Sequence, residues 1–92
     1  MLTVILDGEY DLASQSDVKE KLARAESERD VIVDLSKVSY LDSSCVAEIL
    51  LFSKARRQRG LPQETVVVLP GTVAKVLEVT GVGKVCRIVY PA

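Results

Sequence analysis

The sequence has no histidine. Histidine is the side chain whose charge changes near neutral pH and the commonest metal ligand. Its absence removes the usual general base for a serine or cysteine nucleophile, so hydrolysis by a catalytic triad is not expected. There are two cysteines, Cys45 and Cys86, which make neither a disulfide scaffold nor a zinc site. Cys86 lies in an apolar run and reads as a small buried hydrophobe. Charge imbalance is also missing. The 12 basic and 13 acidic residues leave a net charge of −1, which gives no nucleic-acid footprint. No apolar run approaches the ~20 residues of a membrane span. Met1 leads straight into Leu2-Thr3-Val4-Ile5-Leu6, without the basic start or small-residue cleavage site of a signal peptide, so a cytoplasmic location is expected. Neither nucleotide-binding glycine motif occurs, and no cofactor is expected. Gly81-Val82-Gly83-Lys84 follows a helix rather than a strand, so it reads as a helix stop and a turn.

What is present is a dense apolar pattern. Hydrophobic residues make up 48% of the 92, enough to build the core of one small domain spanning residues 1–92. Leu2 to Leu6 reads as a buried strand, closed by Asp7-Gly8, with Gly8 to Asp11 as a loop. Ser14-x-x-Asp17 resembles a capping box. Val18, Leu22 and Ala25 then recur at helical spacing, which predicts a helix over Ser14 to Ser27. Val31 to Leu35 is a β-branched run suited to a central parallel strand, followed by a loop from Ser36 to Leu41. A second helix is expected from Ser43 or Ser44 to Arg59, with Val46, Ile49, Leu50 and Ser53 as its inner stripe. Lys54, Arg56, Arg57 and Arg59 cluster at its end and read as a solvated face complementing the helix dipole. Thr65 to Leu69 is a third strand, Thr72 can cap a short helix through Val79 or Thr80, and Cys86 to Tyr90 is a last strand. Alternation of this kind implies an α/β fold: a mainly parallel four-stranded sheet, right-handed crossovers and flanking helices. Functional loops should gather at the C-terminal ends of the strands, which places Gly8–Asp11, Leu41–Cys45 and Pro70–Thr72 on one rim.

The stretch Asp42-Ser43-Ser44-Cys45 opens the long helix directly after a strand and its loop. A helix start offers unpaired N–H groups and a positive dipole end, so it suits an anion or a phosphoryl group. Three chemistries compete there. Ser43 can accept a phosphate, although Asp42 would repel it; the plainer alternative is that Ser43 caps the helix. Cys45 can be a thiolate nucleophile at the helix start, but no histidine supports it and Asp42 raises its pKa. Nucleotide binding lacks its motif.

Three stretches together resemble the STAS domain family, and within it the bacterial anti-sigma factor antagonists. Gly8-Glu9-Tyr10-Asp11 is similar to the Gly-Glu-hydrophobic-Asp signature before the first helix. Asp34 to Ser44 resembles the strand and phosphorylation-loop motif, and Val66 to Val82 the later strand and helix with its Thr-Gly pair. The resemblance implies a small mixed sheet flanked by helices, and regulated binding rather than catalysis. It makes Ser43 the expected phosphoacceptor. Asp11, Asp42, Ser44 and Cys45 become the expected partner-binding residues. The implied partner is an anti-sigma factor that is also a serine kinase of the histidine-kinase-like ATPase type, with a phosphatase resetting the switch. In the alternative version the domain is an unphosphorylated scaffold subunit, for example docked on the ATPase of a lipid-transport ABC system. Two departures stand out. Cys45 occupies the position where the family usually has glycine, adding a side chain at the expected contact point. The family's usual first strand and final helix are lacking, so an open sheet edge would favour a homodimer or pairing with a partner.

Overall fold

The structure is a computed structural model that describes residues 1–91. In chain order it contains β1 (Leu2–Tyr10), a 3-10 turn (Leu12–Ser14), α1 (Gln15–Ala23), β2 (Val31–Leu41) and α2 (Ser43–Gln58). These are followed by β3 (Thr65–Val67), α3 (Thr72–Thr80), a second 3-10 turn (Val82–Lys84) and β4 (Arg87–Val89). The four strands form one sheet in the order β1-β2-β3-β4, and every pair is parallel. The expected α/β architecture is therefore present, with a sheet that is parallel throughout.

Sequential strand order has a geometric consequence. Right-handed crossovers between neighbouring parallel strands all pass over the same face. The helices pack accordingly, α1 against α2 and α2 against α3, as a single layer. Beneath them Val4, Leu6, Val33, Leu35, Val66 and Val68 are buried. The opposite face carries the row Thr3–Ile32–Thr65–Arg87 and the row Ile5–Asp34–Val67–Val89, both uncovered by any described helix.

Two strands outrun the sequence expectation. β1 continues through Asp7-Gly8 to Tyr10, and β2 continues through Ser36 to Leu41. The reason is irregular pairing. Register shifts between Ile5 and Asp7, and again between Gly8 and Glu9, bend the two strands while the ladder persists. Gly8 has φ of 100°, a value side-chain-bearing residues avoid, which explains the glycine inside a strand. The long ladder carries the C-terminal ends of β1 and β2 well beyond β3, and the rim is built on that projection. The Ser14 capping box is not formed. Ser14 makes no side-chain cap bond, and its Oγ instead donates to Asp11 Oδ1 at 3.1 Å.

The basic cluster also divides. Arg57 is exposed, as expected, but Arg56 is 1% exposed. Its guanidinium reaches the carbonyls of Ala25 and Glu26 at the end of α1, of Glu28 and Arg29 before β2, and of Pro62 before β3. Carbonyls left over at a helix end are natural acceptors for a cation. Arg56 is thus the pin that holds two crossover loops against α2.

Candidate functional site

The rim forms where the projecting ends of β1 and β2 meet the start of α2. The Asp42 amide donates to Tyr10 O at 2.8 Å, joining the two strand ends at the first residue before the helix. Asp42 is the N-cap of α2. Its backbone is extended, and its Oδ1 accepts from the Ser44 amide at 2.8 Å. Its carbonyl takes the amides of Cys45 and Val46 at 3.0 and 3.1 Å. Tyr40 OH donates to Asp42 Oδ2 at 3.5 Å. The Ser44 amide, helped by the nearby Ser44 hydroxyl, holds the Asp42 carboxyl below its ordinary pKa, so the rim is anionic at neutral pH.

This capping geometry removes the cap role expected as the plainer alternative for Ser43. The cap is Asp42, and Ser43 is the first helical residue, exposed and turned to solvent. It also changes the expected anion site. The amides of Ser44, Cys45 and Val46 are taken by Asp42, so the open cradle of N–H groups read from the sequence is largely filled. A phosphate on Ser43 would meet the positive dipole end but also the Asp42 carboxylate, with Asp11 close by.

Cys45 departs from expectation too. Its side chain is fully buried rather than standing at the surface, and its thiol donates to Asp11 O at 3.3 Å. The bond ties the turn after β1 to the first turn of α2. Burial is the largest influence on the thiol and pushes its pKa up. The neighbouring Ser44 hydroxyl opposes this, and the charges of Asp42, Asp11 and Glu48 reinforce it. The helix start does not produce a thiolate here. Cys86, also buried, is pushed up to about 12, mainly by desolvation. Ser44 Oγ is buried without a partner in hydrogen-bonding geometry.

The structure thus brings all five sequence candidates, Asp11, Asp42, Ser43, Ser44 and Cys45, onto one corner. The Pro70–Thr72 loop stands apart across the rim, beside Leu35, Val38 and Ser39. Two neighbours escaped the sequence reading. Tyr40 is 45% exposed beside Asp42, and Leu12 stands exposed on the turn after Asp11. Continued strand alternation through Tyr40 was the available signal for the first. Among the described residues no helix is long and apolar enough to cross a membrane.

A parallel α/β domain presenting an exposed serine behind an aspartate cap is the class of structure that fold and corner define. A family model described as "Mlab, STAS domain" matches residues 2–90, and the chain belongs to the STAS domain family. The solved anti-sigma factor antagonist SpoIIAA, in its unphosphorylated form, superposes with a TM-score of 0.71 at 17% identity. The match covers 98% of this chain and 79% of that one. The Bacillus cell fate determinant SpoIIAA in its phosphorylated form gives 0.66 at 19% identity, with 98% and 81% covered. A putative anti-sigma factor antagonist from Thermotoga maritima gives 0.71 at 20% identity, with 98% and 80% covered. No curated protein matches the chain by sequence.

Proposed function

We propose that this chain is a phosphorylation-regulated protein-binding switch, an anti-sigma factor antagonist whose acceptor is Ser43. The observation that carries the reading is the division of labour at the start of α2. Asp42 caps the helix, which leaves the adjacent Ser43 hydroxyl exposed and without a structural task. The unmodified corner binds an anti-sigma factor that is also a serine kinase of the histidine-kinase-like ATPase type, and a phosphatase restores it. Asp11, Asp42 and Ser44 contribute to that surface, while Cys45 supports it from below through Asp11 O.

The chemistry of the switch follows from the filled cap. A phosphoserine adds about −1.5 to −2 charges at neutral pH. With the amides of Ser44, Cys45 and Val46 already engaged, the new charge has few donors to order and stands beside an existing carboxylate. The modification therefore acts by like-charge repulsion and by altering the docking surface. Ser43→Asp is expected to abolish capture of the cognate kinase in a pull-down, whereas Ser43→Ala retains it. Equal capture by both variants would overturn the reading.

One observation favours the scaffold alternative, docking on the ATPase of a lipid-transport ABC system. The Cys45–Asp11 bond ties the turn after β1 to the first turn of α2, as suits a corner that keeps one arrangement. A co-purifying ATPase whose binding is unchanged in Ser43→Asp would support that version.

A further inference from the structure

A shallow groove of about 260 Å³ runs between α1 and α2, away from the rim corner. Its walls are apolar: Leu22, Ala23, Leu51, Phe52 and Ala55. Its one deep polar group is Glu48, only 8% exposed. Glu48 Oε2 accepts from the Gln15 amide at 2.9 Å, the one hydrogen bond this carboxyl makes among the described residues. Lys19 and Glu26 stand at the rim of the groove. Glu26 is paired with Arg59 at 3.1 Å, and none of the ion pairs among the described residues reaches Glu48.

A buried carboxyl in an apolar wall, with a neutral amide as its partner, is an incompletely compensated charge. The complementary group is a cation carried on an apolar stem. The groove is smaller than the ~300–1,000 Å³ of small-molecule sites, so it suits one inserted side chain. It lies along the helix that begins at the proposed docking corner. Ser44, Glu48 and Leu51 follow one another at i, i+4 and i+7 on one face of α2. Leu51, 57% exposed, stands at the near wall as an unpartnered apolar contact. Arginine fits better than lysine. Its planar, weakly hydrated guanidinium matches a carboxylate in a fork, and arginine is enriched among interface anchors.

We propose that this groove receives an arginine of the partner protein, its stem on Leu51 and Phe52 and its guanidinium on Glu48. The proposal rests on the reading of the Ser43 corner as a docking surface only for which protein supplies the arginine. The test uses N-acetyl-arginine amide, titrated into the millimolar range against the ¹⁵N-labelled chain. N-acetyl-citrulline amide, its neutral counterpart, is the control. Saturable shifts are expected at the Gln15 side-chain amide and at the backbone amides of Glu48, Leu51 and Phe52. Citrulline amide, or the Glu48→Gln variant, should weaken binding about fivefold or more through loss of the charge-assisted pair. Absence of groove shifts, or equal shifts with citrulline amide, would overturn the proposal, and the wild-type comparison decides it even if Glu48→Gln folds poorly. Ser43→Ala should leave these shifts unchanged, so this proposal and the phosphorylation reading fail independently.

Discussion

Among single residues, Arg56 and Ser43 show how neighbours of similar chemistry take different tasks. Arg56 and Arg57 are adjacent and equally charged, yet one is buried against backbone carbonyls and the other is solvated. Removing a buried charge whose two terminal nitrogens both bind backbone carbonyls strands those acceptors, so Arg56→Ala should cost about 3–5 kcal/mol in urea unfolding. Arg57→Ala should stay within about 0.5 kcal/mol. Arg56 was partly legible in the sequence. Ile49, Phe52, Ser53 and Arg56 share the inner stripe by helical spacing, a better guide than membership of a basic run. What the sequence could not convey was the wrapping of two loops around one side chain. Asp42 yields a pH prediction. Its folded-state pKa is depressed, so its contribution is fully present above its unfolded value and is lost as pH falls through the folded one. Urea midpoints of the wild type should therefore fall on acidification below about pH 4. Asp42→Asn should show a shallower fall over that window.

At the scale of elements, strands and helices were legible as types, while the ends of β1 and β2 were not. Short apolar runs identified β1 and β2. The bulges that carry both on to Tyr10 and Leu41 depend on cross-strand pairing, which leaves no mark on local periodicity. The helix starts were legible, but the side chains that cap them were not. Ser14 has the residue type of a cap but spends its hydroxyl on Asp11, while Asp42 takes the capping role beside Ser43. Before α3 the strain lies in the backbone. Gly71 has φ of 139° and ψ of −154°, a region open essentially to glycine alone. Gly71→Ala should destabilise by about 1–3 kcal/mol. At Gly83 an added Cβ would meet only Ile88 Cδ1 at 3.8 Å, an ordinary contact, so Gly83→Ala should leave thermal unfolding nearly unchanged. A common loss for both glycines would contradict the backbone explanation.

The whole molecule is a one-sided sheet, a consequence of strand order rather than of any local signal. The apolar runs read simply as buried strands. Instead Leu6 is fully buried under the helices while Ile5, the next residue back, is 54% exposed. Leu6→Ala should cost about 2–5 kcal/mol, whereas Ile5→Ala should cost under about 1 kcal/mol. Comparable losses would mean that a second layer covers the bare face. The same topology builds the candidate corner: parallel strands send their C-terminal ends to one rim, and the long β1–β2 ladder lifts Asp42 and Ser43 above it. That corner was legible through its motif, and the inward turn of Cys45 was not, because the direction depends on the Asp11 carbonyl arriving from another element.

The central claim is that Ser43 is the phosphoacceptor of a binding switch. It is tested most directly by incubating the wild type and Ser43→Ala with the cognate serine kinase and ATP, then mapping phosphopeptides by mass spectrometry. The account predicts one added phosphate, located on Ser43 and absent from the variant. An unmodified Ser43, under conditions that modify an established antagonist with its own kinase, would contradict it.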